Sequence, residues 1–299
     1  MSTKRKVFLG LGGLIVAAII VNLLFPSEGK NEEFQPQNEF KLDPWVELKL
    51  GPFDMSLNKA VLYLVLACAL TTLVMLYIAN RMQDRPNRVQ TAVEAAYDLA
   101  RNQITGSNMD DKLALKWFPF IGTLFFFILF SNLIGYFPLP VNTEHPIDIL
   151  GVSVPSFALY SATANLSVPL TLTLMVWFGY HIEGIRHQGF RAYFKSWIPA
   201  GTPSGMTIPI FVIEAISQFV RIISLSVRLF ANMLAGHLLI LFMGGGLVVL
   251  LGLAALGVFT APIAVAFFMF EIVLIAGLQA FIFATLTSIY LGGATAAHH

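Results

Sequence analysis

From Ser196 to His299 the chain runs for 104 residues with four charged side chains, Glu214, Arg221, Arg228 and Glu271. A stretch so poor in charge cannot keep a soluble surface, and each of the four costs about 2.5 to 3.5 kcal/mol at the centre of a membrane helix. The rest of the chain shares the bias. Hydrophobic residues make up 57%, mean hydropathy is +0.74 and 12% of residues are charged, roughly half the charge content of an ordinary soluble domain. A soluble globular protein is thereby excluded. Eighteen Lys and Arg against seventeen Asp and Glu leave a net charge of +1, so no basic excess exists to neutralise phosphates, and nucleic acid is not an expected partner. Cys68 is the single cysteine, which removes disulfides and thiolate metal sites from consideration.

A helix needs about 20 apolar residues to cross a hydrocarbon core about 30 Å thick. Residues 7–25, 60–80, 117–138 and 158–182 meet that length, and two longer runs, 206–243 and 262–291, close the chain. Pro209 and Pro262 fit helix starts, where a missing N–H does no harm, and Gly244-Gly245-Gly246 separates the two long runs. The expected fold is an all-α membrane protein of five to six membrane segments. Its last two form a long, steeply tilted helix hairpin, because a 38-residue helix would be about 57 Å long and ordinary tilt does not absorb that mismatch. Barrel strands are excluded by segment length and by the lack of alternation. Residues 1–59 divide off as an N-terminal helix or signal-like segment plus an external acidic linker, and 60–299 as the integral membrane domain. Lys4-Arg5-Lys6 before residues 7–25 suits an uncleaved helix or a signal peptide, although no clean cleavage site precedes Pro26.

Loop charges set the orientation. Arg81, Arg85, Arg88, Arg101, Lys112 and Lys116 fall between two spans, as do Arg186, Arg191 and Lys195, and both loops belong in the cytoplasm. The connection 139–160, with Glu144 and Asp148 and no Lys or Arg, belongs outside, so the C-terminus is cytoplasmic. Within the first basic loop, residues 87–105 place Val89, Val93, Ala96 and Leu99 at helical spacing. That pattern fits an amphipathic helix on the inner membrane surface or a solvated connecting helix.

At 100° per residue, Glu214, Arg221, Arg228 and Asn232 fall within a stripe roughly 40° wide, flanked by Ser217 and Ser224. His237, nine residues past Arg228, points to about the opposite side, about 13 to 14 Å further along the axis. Two readings stay open for Glu214 and Arg221: an ion pair that holds helices together, or part of an ion path. A histidine in an apolar helix can be a hydrogen-bonded packing residue, yet imidazole is the side chain that exchanges protons near neutral pH. Folding the last two runs antiparallel supplies partners. The residue numbers of His237 and Glu271 sum to 508 and those of Arg228 and Gln279 to 507, so one register sets imidazole beside carboxylate and guanidinium beside amide, with the turn near residue 254.

Four stretches carry a resemblance: SLSVRLFANMLAGHLL at 224–239, LQAFIFATLTSIYL at 278–291, SNLIGYFPLP at 131–140 and PNRVQTAVEAAYD at 86–98. In that order, and across most of the chain beyond residue 50, they resemble the a subunits of F-type ATP synthases. The resemblance implies a non-catalytic stator subunit in a bacterial plasma membrane. It would contact a ring of c subunits, the b subunits of the peripheral stalk, other subunits of the synthase and lipid, with neither cofactor nor metal. It also implies that Arg228 is the family's essential arginine, that Asn232 and Gln279 are its polar neighbours, and that Glu214 and Ser224 hold family polar positions. His237 stands where family members carry Glu or His, and Glu271 near their reciprocal residue. One departure is visible: the reciprocal residue usually precedes the glutamine by seven, and Glu271 precedes Gln279 by eight.

A guanidinium in a low-dielectric slot favours the ionised form of an approaching carboxylate, and arginine cannot itself relay the proton. The implied function is therefore two offset half-channels. His237, Glu271, Asn232 and Gln279 would line the outward one, and Glu214 and Ser217 would begin the inward one, so that proton flow turns the ring and drives ATP synthesis. A secondary ion-coupled transporter would also bury charges, but no internal repeat is evident. Neither a G-x-S-x-G turn nor an H-E-x-x-H helix occurs to support an intramembrane hydrolase. A plain membrane anchor leaves the common register of the four polar positions unexplained. His298-His299 could bind metal or form a disordered tail.

Overall fold

The computed structural model describes residues 3–24, 42, 44–50, 53–54, 56–83, 85–137, 147–149, 152–154, 160–199 and 201–295. The tail at His298-His299, Glu144 and most of the acidic linker expected before residue 59 lie outside the described residues. Helix α1 spans Thr3–Leu24, and after it two short strands, β1 (Lys49–Leu50) and β2 (Phe53–Asp54), pair antiparallel. Then follow α2 (Lys59–Arg81), α3 (Arg88–Asp98) running into a π-helical turn Leu99–Gly106, and α4 (Asp111–Ile134). A second antiparallel pair, β3 (Ile147–Ile149) with β4 (Val152–Val154), leads to α5 (Ser167–Gln188), α6 (Phe190–Lys195) and α7 (Thr207–Leu241). The chain closes with α8 (Leu247–Leu251), α9 (Gly257–Phe270) and α10 (Gly277–Thr295).

Among the described residues four helical stretches are long and apolar enough to cross a membrane: Lys59–Asn80, Asp111–Ile134, Ser204–Gly246 and Gly257–Thr295. With the shorter apolar helix Gly12–Leu24 and the more polar α5, they make up the all-α membrane protein expected from the sequence. The two last stretches run to 43 and 39 residues, roughly 64 and 58 Å at 1.5 Å per residue. Helices this long must incline steeply or extend past the hydrocarbon.

Several boundaries differ from the sequence expectation. The triple glycine does not separate the two long runs. Phe242–Gly246 continues the helix as a π turn, and the reversal comes at Gly252, whose φ of +64° is open to glycine and costly for other residues. Pro262 lies inside α9, which starts five residues earlier at Gly257, and Pro119 lies inside α4, which starts at Asp111 rather than near residue 117. Helix α5 starts at Ser167, nine residues later than expected, and runs on to Gln188. The surface helix holds its place, with the Asn87 side chain accepting the Gln90 N–H at 2.8 Å as N-cap. Its buried positions, however, are Gln90, Ala100, Ile104 and Thr105, while Val89 is 65% exposed.

By packing, the described chain forms two compact units. In the unit of Met1–Lys59, Tyr136–Tyr160 and Leu234–Ile275, α9 folds back on the π turn Phe242–Gly246 and α1 lies against α9. In the unit of Ala60–Gly135, Ser161–Met233 and Ala276–His299, α10 packs against α4 and α5. The buried strip of α10 is Gln279, Ala280, Phe283, Ala284, Thr287, Ser288 and Leu291, and small residues at such spacing let helix backbones approach closely. Gly292 sits against the Asn108 carbonyl and Gly184 against the Tyr193 ring, so a Cβ at either would collide. A fully buried polar chain crosses this unit. Thr163 Oγ1 donates to Asn132 Oδ1 at 2.7 Å, Asn132 Nδ2 donates to the Ala276 carbonyl at 3.2 Å, and Ser161 Oγ donates to the Ser131 carbonyl at 3.0 Å. Replacing Asn132 by Leu leaves the Thr163 hydroxyl with Ser161 Oγ as its remaining partner and removes the link to the Ala276 carbonyl, at the turn that leads into α10. The expected cost is about 1–3 kcal/mol, read as a lower thermal midpoint of the detergent-solubilised complex; an unchanged midpoint would show that this chain does not hold α10.

Candidate functional site

Glu271 ends α9 and opens a further π-helical turn, Glu271–Ala276, a geometry found often at functional sites. Its carboxylate lies against the Cα of Gly236, where any Cβ would overlap it. Tyr136, two residues beyond the end of α4, donates its hydroxyl to Glu271 Oε2 at 2.9 Å. The same phenol ring stacks on the imidazole of His237, with centroids 4.6 Å apart and planes 25° from parallel, and Phe268 meets its edge at 6.1 Å. Tyr136, His237 and Glu271 are 2%, 5% and 8% exposed. The expected juxtaposition of His237 and Glu271 is thus present as a cluster built on Tyr136. That tyrosine was legible only as a letter in SNLIGYFPLP, because it follows the helix end and belongs to no periodic face.

Arg228 lies on the exposed side of α7, and its Nη2 donates to Ser224 Oγ at 3.4 Å. Among the described residues no carboxylate pairs with it, and no hydrogen bond joins it to Gln279, which is 5% exposed. Asn232, on the same helix, is half-buried.

Two turns before Arg228 the arrangement is the opposite. Arg221 Nη2 pairs with Glu214 Oε1 at 3.3 Å, both side chains about one-third exposed, and its guanidinium lies 5.0 Å above the Tyr290 ring. Gln218, absent from the sequence expectation, is the hub. Its Nε2 donates to Glu214 Oε1 at 2.7 Å, and its Oε1 accepts the Tyr180 hydroxyl at 2.7 Å. These groups, with Tyr193, Ser196 and Trp197, line a cavity of about 520 Å³, large enough for many waters. Burial pushes the Tyr193 phenol above its usual range, so it stays neutral. The Glu214–Arg221 ion pair is thus present, made within α7 rather than between helices, and it forms part of the wall of a polar cavity. Ser217 is half-buried and does not line it. A hub glutamine leaves no mark in a charge count, although its place at i+4 from Glu214 is a recognisable helical pair.

A multi-pass helical membrane protein that buries a His–Tyr–Glu cluster, walls a polar cavity with an ion pair and, among the described residues, leaves Arg228 of an apolar helix exposed without a counter-ion has the make-up of an ion-conducting membrane subunit. Residues 61–292 match the family ATP synthase A chain. The chain is 36% identical to ATP synthase subunit a of Rubrobacter xylanophilus over 83% of this chain and 88% of that protein. It is 34% identical to the Hyphomonas neptunium subunit a, covering 87% and 95%, and 33% identical to that of Paramagnetospirillum magneticum, covering 88% and 99%. The chain belongs to this family, whose members are non-catalytic subunits of the ATP synthase membrane sector.

The close seat of Glu271 on Gly236 gives a direct test. Gly236→Ala must displace the carboxylate or the helix, an overpacking cost of about 1–3 kcal/mol. A lowered thermal midpoint together with impaired proton pumping is expected; normal pumping would show that the position of Glu271 is immaterial.

Proposed function

We propose that this chain conducts protons to and from a ring of c subunits through two half-channels that meet only at Arg228. What supports this above all is that Arg228 is exposed and has no counter-ion among the described residues. A guanidinium committed to an internal carboxylate would be electrically spent, whereas one directed off the helix bundle remains available to a partner's carboxylate. When a protonated ring carboxyl reaches it, the fixed charge favours ionisation and the proton leaves to the open half-channel. Because arginine keeps its own proton, it bars direct passage between the two inlets.

His237 and Glu271 would carry protons from the outward side, with Asn232 and Gln279 nearer the arginine. On an ideal helix His237 lies about 180° and about 13 to 14 Å from Arg228, which suits offset paths. The π turn at Glu271 supports its role as the family's reciprocal residue. Such a turn takes up one extra residue, so eight positions through it sweep about the angle of seven in an α-helix. The inward path would use the cavity walled by Glu214, Gln218 and Arg221, with Ser224 beside Arg228 and Ser217 on the approach. A proton crossing 100 mV supplies about 2.3 kcal/mol, and with laterally separated inlets that energy is delivered through ring rotation. The chain would sit in a bacterial plasma membrane with its C-terminus in the cytoplasm, contacting the c ring and the b subunits of the peripheral stalk. Residues 60–299 would form the working domain and 1–59 its N-terminal appendage. No observation favours the secondary-transporter alternative.

Arg228→Ala is expected to abolish ATP-driven proton pumping in inverted membrane vesicles while the assembled complex persists; pumping at the normal rate would refute this assignment. His237→Ala should slow proton entry, and its effect should be non-additive with Glu271→Gln in a double-mutant cycle. Additive losses would dissolve the pair.

A further inference from the structure

We infer that Tyr136 is a positioning residue of the outward proton path, its hydroxyl holding one oxygen of Glu271 while its ring holds the plane of the His237 imidazole. The inference rests on the proposed role of His237 and Glu271 and adds a residue to it. A buried carboxylate has several rotamers of similar energy unless a donor selects one, and burial without a donor is costly. Here the phenol supplies that donor, at 2.9 Å to Oε2, while Gly236 leaves room for the carboxylate to lie flat on the facing helix. Oε1 is then the oxygen that takes and gives protons.

The imidazole is restrained by the other part of the same side chain. With ring planes 25° apart and centroids 4.6 Å apart, His237 turns its edge, which carries both nitrogens, away from the phenol face. Phe268 against the phenol edge keeps Tyr136 from rotating out of the stack. One side chain therefore restrains both titratable groups of the cluster. The phenol keeps its own proton and undergoes no chemical change. Pre-organisation of this kind raises a transfer rate by removing misaligned geometries.

The test uses the assembled synthase in inverted vesicles with four variants: Tyr136→Phe, Tyr136→Leu, Glu271→Gln and the Tyr136→Phe/Glu271→Gln double. Tyr136→Phe keeps the stacking ring and loses the hydroxyl. It is expected to reduce ATP-driven proton flux about three- to tenfold at unchanged subunit content, and Tyr136→Leu, which loses ring and hydroxyl, is expected to reduce it further. The double variant should be no slower than Glu271→Gln alone, because the hydroxyl acts through that carboxylate. In infrared difference spectra, the carboxyl band that disappears in Glu271→Gln should be shifted in Tyr136→Phe. Normal flux and an unshifted band in Tyr136→Phe, alongside an impaired Glu271→Gln, would overturn the role of Tyr136 and leave the wider proposal standing. A further loss in the double variant would also overturn it. Normal flux in Glu271→Gln would instead remove Glu271 from the proton path.

Discussion

The expense of holding charge in hydrocarbon governs this molecule. A charged group near the middle of a bilayer persists only where something other than lipid answers it, and nearly every such group here has a protein partner. Glu214 has Arg221 and Gln218, Glu271 has Tyr136, and the buried Glu183 has Lys116, which itself reaches toward solvent. Among the described residues Arg228 is the exception, with a serine hydroxyl alone. A guanidinium left unanswered within its own chain is open to a partner's acid, and the proposal above assigns that place to a ring carboxyl.

The two polar stations follow different physical designs. Around Glu214 the partners converge from α5, α7 and α10 on an open cavity, so water can share in solvating the ion pair and ionic groups are kept at modest cost. Around Glu271 there is little room. The carboxylate fits because Gly236 lacks a side chain and because a π turn re-aims the residue that bears it. The first arrangement leaves an ion pair open to water, and the second holds a carboxylate fixed against its donor.

Sequence patterns reached far into this structure where the pattern was long. Six hydrophobic runs became helices, the surface helix near Arg88–Asp98 was visible in its capping asparagine and spacing, and the antiparallel register of the last two runs put the turn near residue 254, two residues from Gly252. Short-range details were not visible. Gly244-Gly245-Gly246 reads as a break by composition, but in an apolar surround the backbone keeps its hydrogen bonds by winding on as a π turn. Pro119 and Pro262 were absorbed into helices for the same reason.

What the amino-acid order determined by itself was the solvent the chain requires, the apolar runs long enough to cross it, and the identity of the few charges that must find partners, because all of these depend on transfer energies summed along the chain. Tertiary packing decided which partner each charge obtained. Gln218 and Tyr136 carry no charge to draw notice, so although Gln218 borders the polar stripe of α7, their roles exist only once α5 brings Tyr180 to Gln218 and the end of α4 brings a phenol to Glu271. Hydrogen bonds act over about 3 Å, and contacts at that range between residues 38 and 135 positions apart are set by the fold.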